Sequence, residues 1–187
     1  SEVQQAFLDY GFTKQQVKSA FSGLKLPKGF TNSEGLIFPA QYSFPEGTSA
    51  QVAAQRMIDR FSDDALGRKL LQGTSTYSAQ QLLTIASIIQ AESTDVDFTK
   101  VSRVIYNRLK IGMPLQMDST VHFVMQARGD IFLSRKATML NSSYNTYRKY
   151  GLPPGPICSP GSAAIKAAIE PMQGDWLYFI TVAPGDT

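Results

Sequence analysis

The chain has 187 residues, of which 43% are hydrophobic and 18% charged, a globular balance that argues against disorder. Its formal net charge of +3 comes from 18 Lys and Arg scattered without a run, so no nucleic-acid groove is expected, only a weak pull on an anionic polymer. Cys158 is the single cysteine, which rules out an internal disulfide and a zinc–thiolate site, and the sequence calls for no metal or other cofactor.

No stretch approaches the roughly 20 apolar residues of a membrane span, and no signal peptide opens the chain. It reads as a domain excised from a longer protein. Residues 2–10 and 14–22 read as two short helices, the first stopped by Gly11 and the second capped by Thr13 with Gln16. They form a small hairpin with Phe7, Leu8, Val17 and Phe21 inside. Residues 24–33 are linker-like. Residues 34–50 read as short extended pieces broken by Pro39 and Pro45, which cannot donate to a ladder. Ser49 caps a helix to about Phe61, with Val52, Ile58 and Phe61 inward and Met57 beside them. A second helical piece, 64–72, leads into the polar stretch 73–78, the best lobe boundary in the chain.

Residues 78–93 (SAQQLLTIASIIQAES) carry the strongest pattern. Ser78 with Gln81 is a capping box, and Leu82, Ile85, Ala86 and Ile89 recur at helical spacing. At about 100° per residue, Glu92 falls about 20° from Ile85, so a carboxylate ends an apolar stripe. Two roles are open to it. It either swings into water past the last buried turn, or it is aimed into a half-apolar cleft. There, desolvation would keep it protonated near neutral pH, as a proton donor to a glycosidic oxygen must be.

After a polar break, residues 98–112 read as a helix with Asp97 as its N-cap and Gly112 as its stop. Arg108 projects into its apolar stripe of Phe98, Val101, Val104, Ile105 and Leu109. A buried Arg must find acceptors. A tight pair with Glu92 would lower that pKa and spoil a general acid, so Asp118 or backbone carbonyls are the better partners. Residues 113–130 begin as a turn or short strand and become helical from about Ser119. His122, the sole histidine, fits a partly buried surface residue rather than a catalyst. Residues 142–161, crowded with Tyr, Asn, Pro and Gly, read as a long irregular loop that lines a site or straps the core. Ser159 then caps a helix with Pro160 in its first position. Residues 176–182 (WLYFITV) read as a buried strand by their β-branched and aromatic content.

Several of these stretches, in order, carry a family likeness: EGLIFPAQYSF, ASIIQAES, NRL at 107–109, IGMPLQMDSTV at 111–121, YNTY at 144–147, GLPPGPI at 151–157 and LYF at 177–179. From about Glu34 onward the chain resembles the MltG (YceG-like) family of endolytic murein transglycosylases. It departs from the family's pattern at three points: FPAQY lacks an acidic residue, His122 stands where Tyr is common, and Cys158 follows GLPPGPI.

The resemblance implies an α+β fold, a mixed α/β catalytic lobe with a small, mostly helical N-terminal region. It divides the chain into residues 1–74, the end of a LysM-like lobe with its connecting segment, and a catalytic part at 75–187 whose C-terminal tail is missing. It implies a lytic transglycosylase that cleaves the MurNAc–GlcNAc bond of peptidoglycan without water and leaves 1,6-anhydro ends. Glu92 would be acid and then base. Gln116, Asp118, Tyr144, Asn145 and Tyr147 would bind the glycan, and Asn107 and Arg108 would support the scaffold. The partners implied are peptidoglycan strands and cell-wall synthases. The place implied is the extracytoplasmic face of the bacterial cytoplasmic membrane, with a single-pass anchor outside this chain. Two other readings stay open: a hydrolase that uses Asp118 as a second carboxylate, and a non-catalytic glycan-binding scaffold domain.

Overall fold

The computed structural model describes residues 2–126 and 133–180. Among them are eight α-helices: α1 (Glu2–Tyr10), α2 (Lys14–Ser22), α3 (Ala50–Asp63), α4 (Ala65–Leu71), α5 (Ala79–Glu92), α6 (Phe98–Lys110), α7 (Asp118–Met125) and α8 (Ser162–Ile169), with one 3-10 turn at Ala137–Met139. Capping chemistry explains several starts. Thr13 and Gln16 form a two-way capping box at α2, Ser78 and Gln81 do the same at α5, and Ser49 accepts from the Val52 N–H at α3.

The core is built around α5. All residues from Leu82 to Ile89 are buried, because α5 is covered on several sides: by α8 most extensively, and by α4, α6 and α7. Leu36, Ile58, Phe61, Leu70, Phe98 and Ile105 complete this core. A second, smaller cluster of Phe7, Val17, Ala20, Ala50, Ala53 and Ala54 joins the α1–α2 hairpin to the first half of α3. Helix α3 therefore serves both clusters, its alanines in the hairpin cluster and its Ile58 and Phe61 in the main core.

The expected α+β fold is wrong for the described residues, which contain helices and irregular chain but no strand. Residues 176–180, expected to begin a strand, join no ladder and have no regular secondary structure. Side chains of α6 take their carbonyls instead: Asn107 Nδ2 donates to Gly174 O (3.3 Å) and Trp176 O (2.9 Å), and Arg108 Nε to Leu177 O (2.7 Å). Residues 181–182 of that expected strand, and 127–130 of the expected helical segment, lie outside the described residues. The pieces at 34–50 close into turns rather than ladders, with Leu36 N–H donating to Ser33 O and Thr48 N–H to Pro45 O.

Three local expectations also shift. Val52 is 46% exposed, since it lies about 120° around α3 from Ile58. Helix α8 begins at Ser162 with Gly161 as its N-cap, not at Ser159. Asp97 precedes α6, but its side chain makes no cap bond and pairs with Lys100 instead (3.0 Å).

The loop 151–161 is a strap along α5, pinned from one face of that helix. Gln80 Nε2 donates to Pro154 O (3.0 Å), Ser87 Oγ accepts from Ile157 N–H (3.0 Å), and Gln90 Oε1 accepts from Gly161 N–H (2.9 Å). Gly35 sits beneath the strap at φ +80°, where a Cβ would come within 2.6 Å of Pro156. Both the backbone conformation and the close approach require glycine there.

Candidate active site

Glu92 ends α5 and meets the start of α7. Its Oε1 accepts from the Ser119 N–H at 3.0 Å. The carboxyl is thus set between the negative end of one helix and the positive end of another, whose dipoles act on it in opposite senses. Burial then dominates. Desolvation raises the Glu92 pKa above the ordinary glutamate value, opposed by the hydrogen-bonding influence of Ser119; nearby Asp118 raises it further and His122 lowers it. Periodicity left open whether Glu92 swings into water. Here it is half-buried and held by a backbone donor.

The segment before α7 explains how that donor is positioned. Leu115 and Met117 are buried while Gln116 and Asp118 are exposed. Gln116 is held in the left-handed region at φ 49°, a conformation that costs a non-glycine residue about 1 kcal/mol or more. Thr146 offsets that cost: its carbonyl accepts from the Gln116 N–H (3.1 Å) and its Oγ1 from the Met117 N–H (2.9 Å). The Thr146 and Thr120 hydroxyls, both buried, also bond each other at 2.9 Å. This threonine pair locks the start of α7, and with it Ser119, against the 144–147 turn.

The other expected residues fall in four places. The Tyr147 hydroxyl donates to Asp118 Oδ1, and burial together with that carboxylate pushes the phenol pKa well up. Tyr144 is half-buried, its ring 4.9 Å from that of Phe123. Asn145 differs: it is fully buried, its Nδ2 donating to Leu140 O (2.7 Å) and Thr138 O (3.1 Å) and its Oδ1 accepting from Tyr147 N–H (3.0 Å). Its side chain is spent on shaping the turn and presents nothing to a groove. Arg108, 6% exposed, donates to the carbonyls of Leu115 and Leu177 and lies 5.3 Å from the Tyr178 ring centre. Backbone carbonyls are therefore its partners, and no ion pair ties it to Glu92.

A cleft of about 1860 Å³ opens between the N-terminal hairpin, the 33–49 loop and the face of α7. Tyr10, Tyr42, Phe44, Phe123 and Tyr144 line it, and the rings of Tyr42 and Phe44 stack 5.9 Å apart. Glu92 is not itself a lining residue. Gln90, two positions earlier on α5, lines the cleft, as does His122, whose charge acts on the Glu92 carboxyl. Among the described residues no group of three or more His, Cys, Asp or Glu is placed to hold a metal ion. No helix there is long and apolar enough to cross a membrane.

Sequence reasoning passed over Thr120, Thr146 and Ser119 and discounted His122. Thr146 lies inside YNTY and Thr120 inside QMDSTV, so both sat within the motifs, but their pairing across 26 residues leaves no periodic signal.

A carboxylic acid with a raised pKa, held by one backbone donor, has the chemistry a single-acid proton transfer calls for. The chain belongs to the YceG-like family, whose sequence profile matches residues 2–187. It is 38% identical over 155 residues to the endolytic murein transglycosylase of Bacillus subtilis, covering 82% of this chain and 43% of that protein. It is 32% identical over 152 residues to that of Streptococcus pneumoniae, covering 79% of this chain and 28% of the relative. The crystal structure of a YceG-like protein from Listeria monocytogenes superposes with a TM-score of 0.74 at 35% identity, covering 82% of this chain and 51% of that one. The chain thus spans less than half the length of the curated relatives it matches.

Proposed function

We propose that this protein is a lytic transglycosylase that cuts the MurNAc–GlcNAc bond of peptidoglycan internally, with Glu92 as acid and then base. The observation that carries this reading is the burial that raises the Glu92 pKa while leaving one backbone N–H, that of Ser119, on its carboxyl. The protonated acid gives its proton to the glycosidic oxygen as the C1–O bond breaks. The C6 hydroxyl of the same sugar attacks C1, and its proton passes to the Glu92 carboxylate, closing the 1,6-anhydro ring. No water is consumed and no second carboxylate is needed. A two-carboxylate hydrolase would need Asp118 free to act on water. Its oxygen is instead held by the Tyr147 hydroxyl, which favours the non-hydrolytic reading.

In this reading the glycan lies in the aromatic cleft and passes His122 to reach Glu92. Exposed Gln116 and Asp118, with Tyr144 and Tyr147, contact sugar hydroxyls and faces, while Asn145 positions the turn that carries both tyrosines. Asn107 and Arg108 brace the 174–177 segment. Residues 1–74 supply the far wall and residues 75–187 the reacting one. The substrate places the activity outside the cytoplasmic membrane, and the proposed anchor and any synthase partner rest on the family likeness alone.

The test is mass spectrometry of peptidoglycan incubated with the protein and with Glu92→Gln. Products lighter by one water per cut than hydrolysis would give, lost by about 10²–10⁴-fold in the variant, are expected. Ordinary reducing ends would move the reading to hydrolysis, and no cleavage by either protein would favour a glycan-binding domain.

A further inference from the structure

Ser119 has more to offer Glu92 than its backbone. Its N–H already donates to Glu92 Oε1 at 3.0 Å, and it sits in the first turn of α7, where donors point at the carboxyl. Its hydroxyl is buried and has no protein partner at hydrogen-bonding geometry. A buried hydroxyl left without a partner costs stability, and native folds keep few of them. The Thr146–Thr120 lock fixes this turn of α7, so the hydroxyl is held beside the acid by design of the surrounding bonds.

We infer that Ser119 is a positioning residue whose hydroxyl rotates to donate to Glu92 once the carboxyl has lost its proton, so that one residue supplies two hydrogen bonds to the ionised form. The inference rests on the reading of Glu92 as acid and then base. While Glu92 is protonated, the Ser119 N–H alone binds it. As its proton moves to the leaving oxygen, charge develops on a carboxyl that burial leaves poorly solvated. The Ser119 hydroxyl is a second neutral donor beside the N–H already bonded to that carboxyl. No covalent bond to Ser119 forms, and the proton it shares stays its own. The closeness of the hydroxyl to the carboxyl is consistent with its lowering the Glu92 pKa against desolvation. The other groups facing Glu92 are Asp118 and His122 on α7, Arg108 on α6 and Tyr147 on the following turn, and all remain in place when Ser119 alone is changed.

The experiment compares wild type, Ser119→Ala and Ser119→Thr in two measurements. The first is the pH profile of glycan cleavage. The second is titration of the Glu92 side-chain carboxyl by carbon-13 NMR, which requires no turnover. In Ser119→Ala the Glu92 titration and the basic limb of the rate both move to higher pH, and kcat falls about tenfold, the scale of one hydrogen bond to a charged group. Ser119→Thr, which keeps the hydroxyl, restores all three. A Glu92 titration that stays put in Ser119→Ala overturns the inference, whatever happens to the rate. So does a threonine variant that behaves like alanine while folding normally. If wild type cuts no glycan, the functional reading fails, yet the NMR titration still decides whether the hydroxyl serves the ionised acid.

Discussion

The two walls of the cleft are built differently. The reacting wall, α5 with α7, rests on a core of large aliphatic and aromatic side chains, and every residue from Leu82 to Ile89 is buried beneath it. The opposite wall, the α1–α2 hairpin on the first half of α3, rests on Phe7 and Val17 over four alanines. The first wall has the packing and the buried hydrogen bonds to hold the start of α7, and with it the donor to Glu92, in place. The second has little more than a layer of rings. Buried hydrogen bonds are concentrated where a proton would be transferred, while aromatic faces line the cleft from both sides.

The largest effect expected on this comparison comes from Glu92→Gln, which removes the proposed proton donor and leaves the packing. It also reports the burial directly. Glu92 has a folded-state pKa raised above its unfolded value, so its contribution to stability is fully present below the unfolded pKa and is lost as pH rises through the folded one. Glu92→Gln should therefore gain in Tm relative to wild type as pH rises through that window, with little difference in acid. Thermal melts across pH check this, and a Tm difference that is constant with pH would mean that Glu92 is solvated.

Next comes the core of the reacting wall. Ile85→Ala should cost about 2–5 kcal/mol, the range for deleting a fully buried aliphatic side chain, measured by denaturant unfolding. Arg108→Ala should cost about 1.5–3 kcal/mol through the carbonyls of Leu115 and Leu177 that it leaves without their charged donor. It should also loosen the 172–177 segment that Arg103, Asn107 and Arg108 hold along α6. The single tryptophan, Trp176, lies on that segment, so its fluorescence should shift to longer wavelength with the loss. Unchanged emission would mean that the other bonds suffice to hold the segment.

What the sequence disclosed follows the range of each interaction. The helix starts at Thr13, Ser49 and Ser78 were legible because a cap and its target lie within three residues. The helical placing of Glu92 was legible for the same reason, since periodicity is local. The absence of a strand at 176–180 was not, because a strand requires a partner and α6 side chains occupy carbonyls of that segment instead. Asn145 looked like a groove residue from its company of tyrosines. Its amide is consumed by Leu140 and Thr138, a fact decided by how the turn closes. Thr146 and Ser119 were silent because a hydroxyl fits almost any position in a sequence, and only the fold says which two meet.

The smallest effect expected sharpens the comparison most. Phe7 is buried against the rings of Phe12 and Phe21, and a Phe→Ala change in a fully coupled core costs about 3–5 kcal/mol. At about 2–4 °C per kcal/mol for a chain of this size, that would be a conspicuous drop in Tm. Apart from helix α3, which carries residues of both, the side chains shared by the hairpin cluster and the main core among the described residues are the partly buried Val3, Phe21, Leu24 and Met57. Phe7→Ala should therefore open α1 and α2 locally, with amides 3–22 losing exchange protection while those of α5 keep theirs and the main melt barely moves. Because the hairpin forms one wall of the cleft, KM for glycan should rise and kcat should hold. A melt displaced as far as that of Ile85→Ala would show instead that both walls belong to one cooperative unit, and that the thin wall is as essential to holding Glu92 as the thick one.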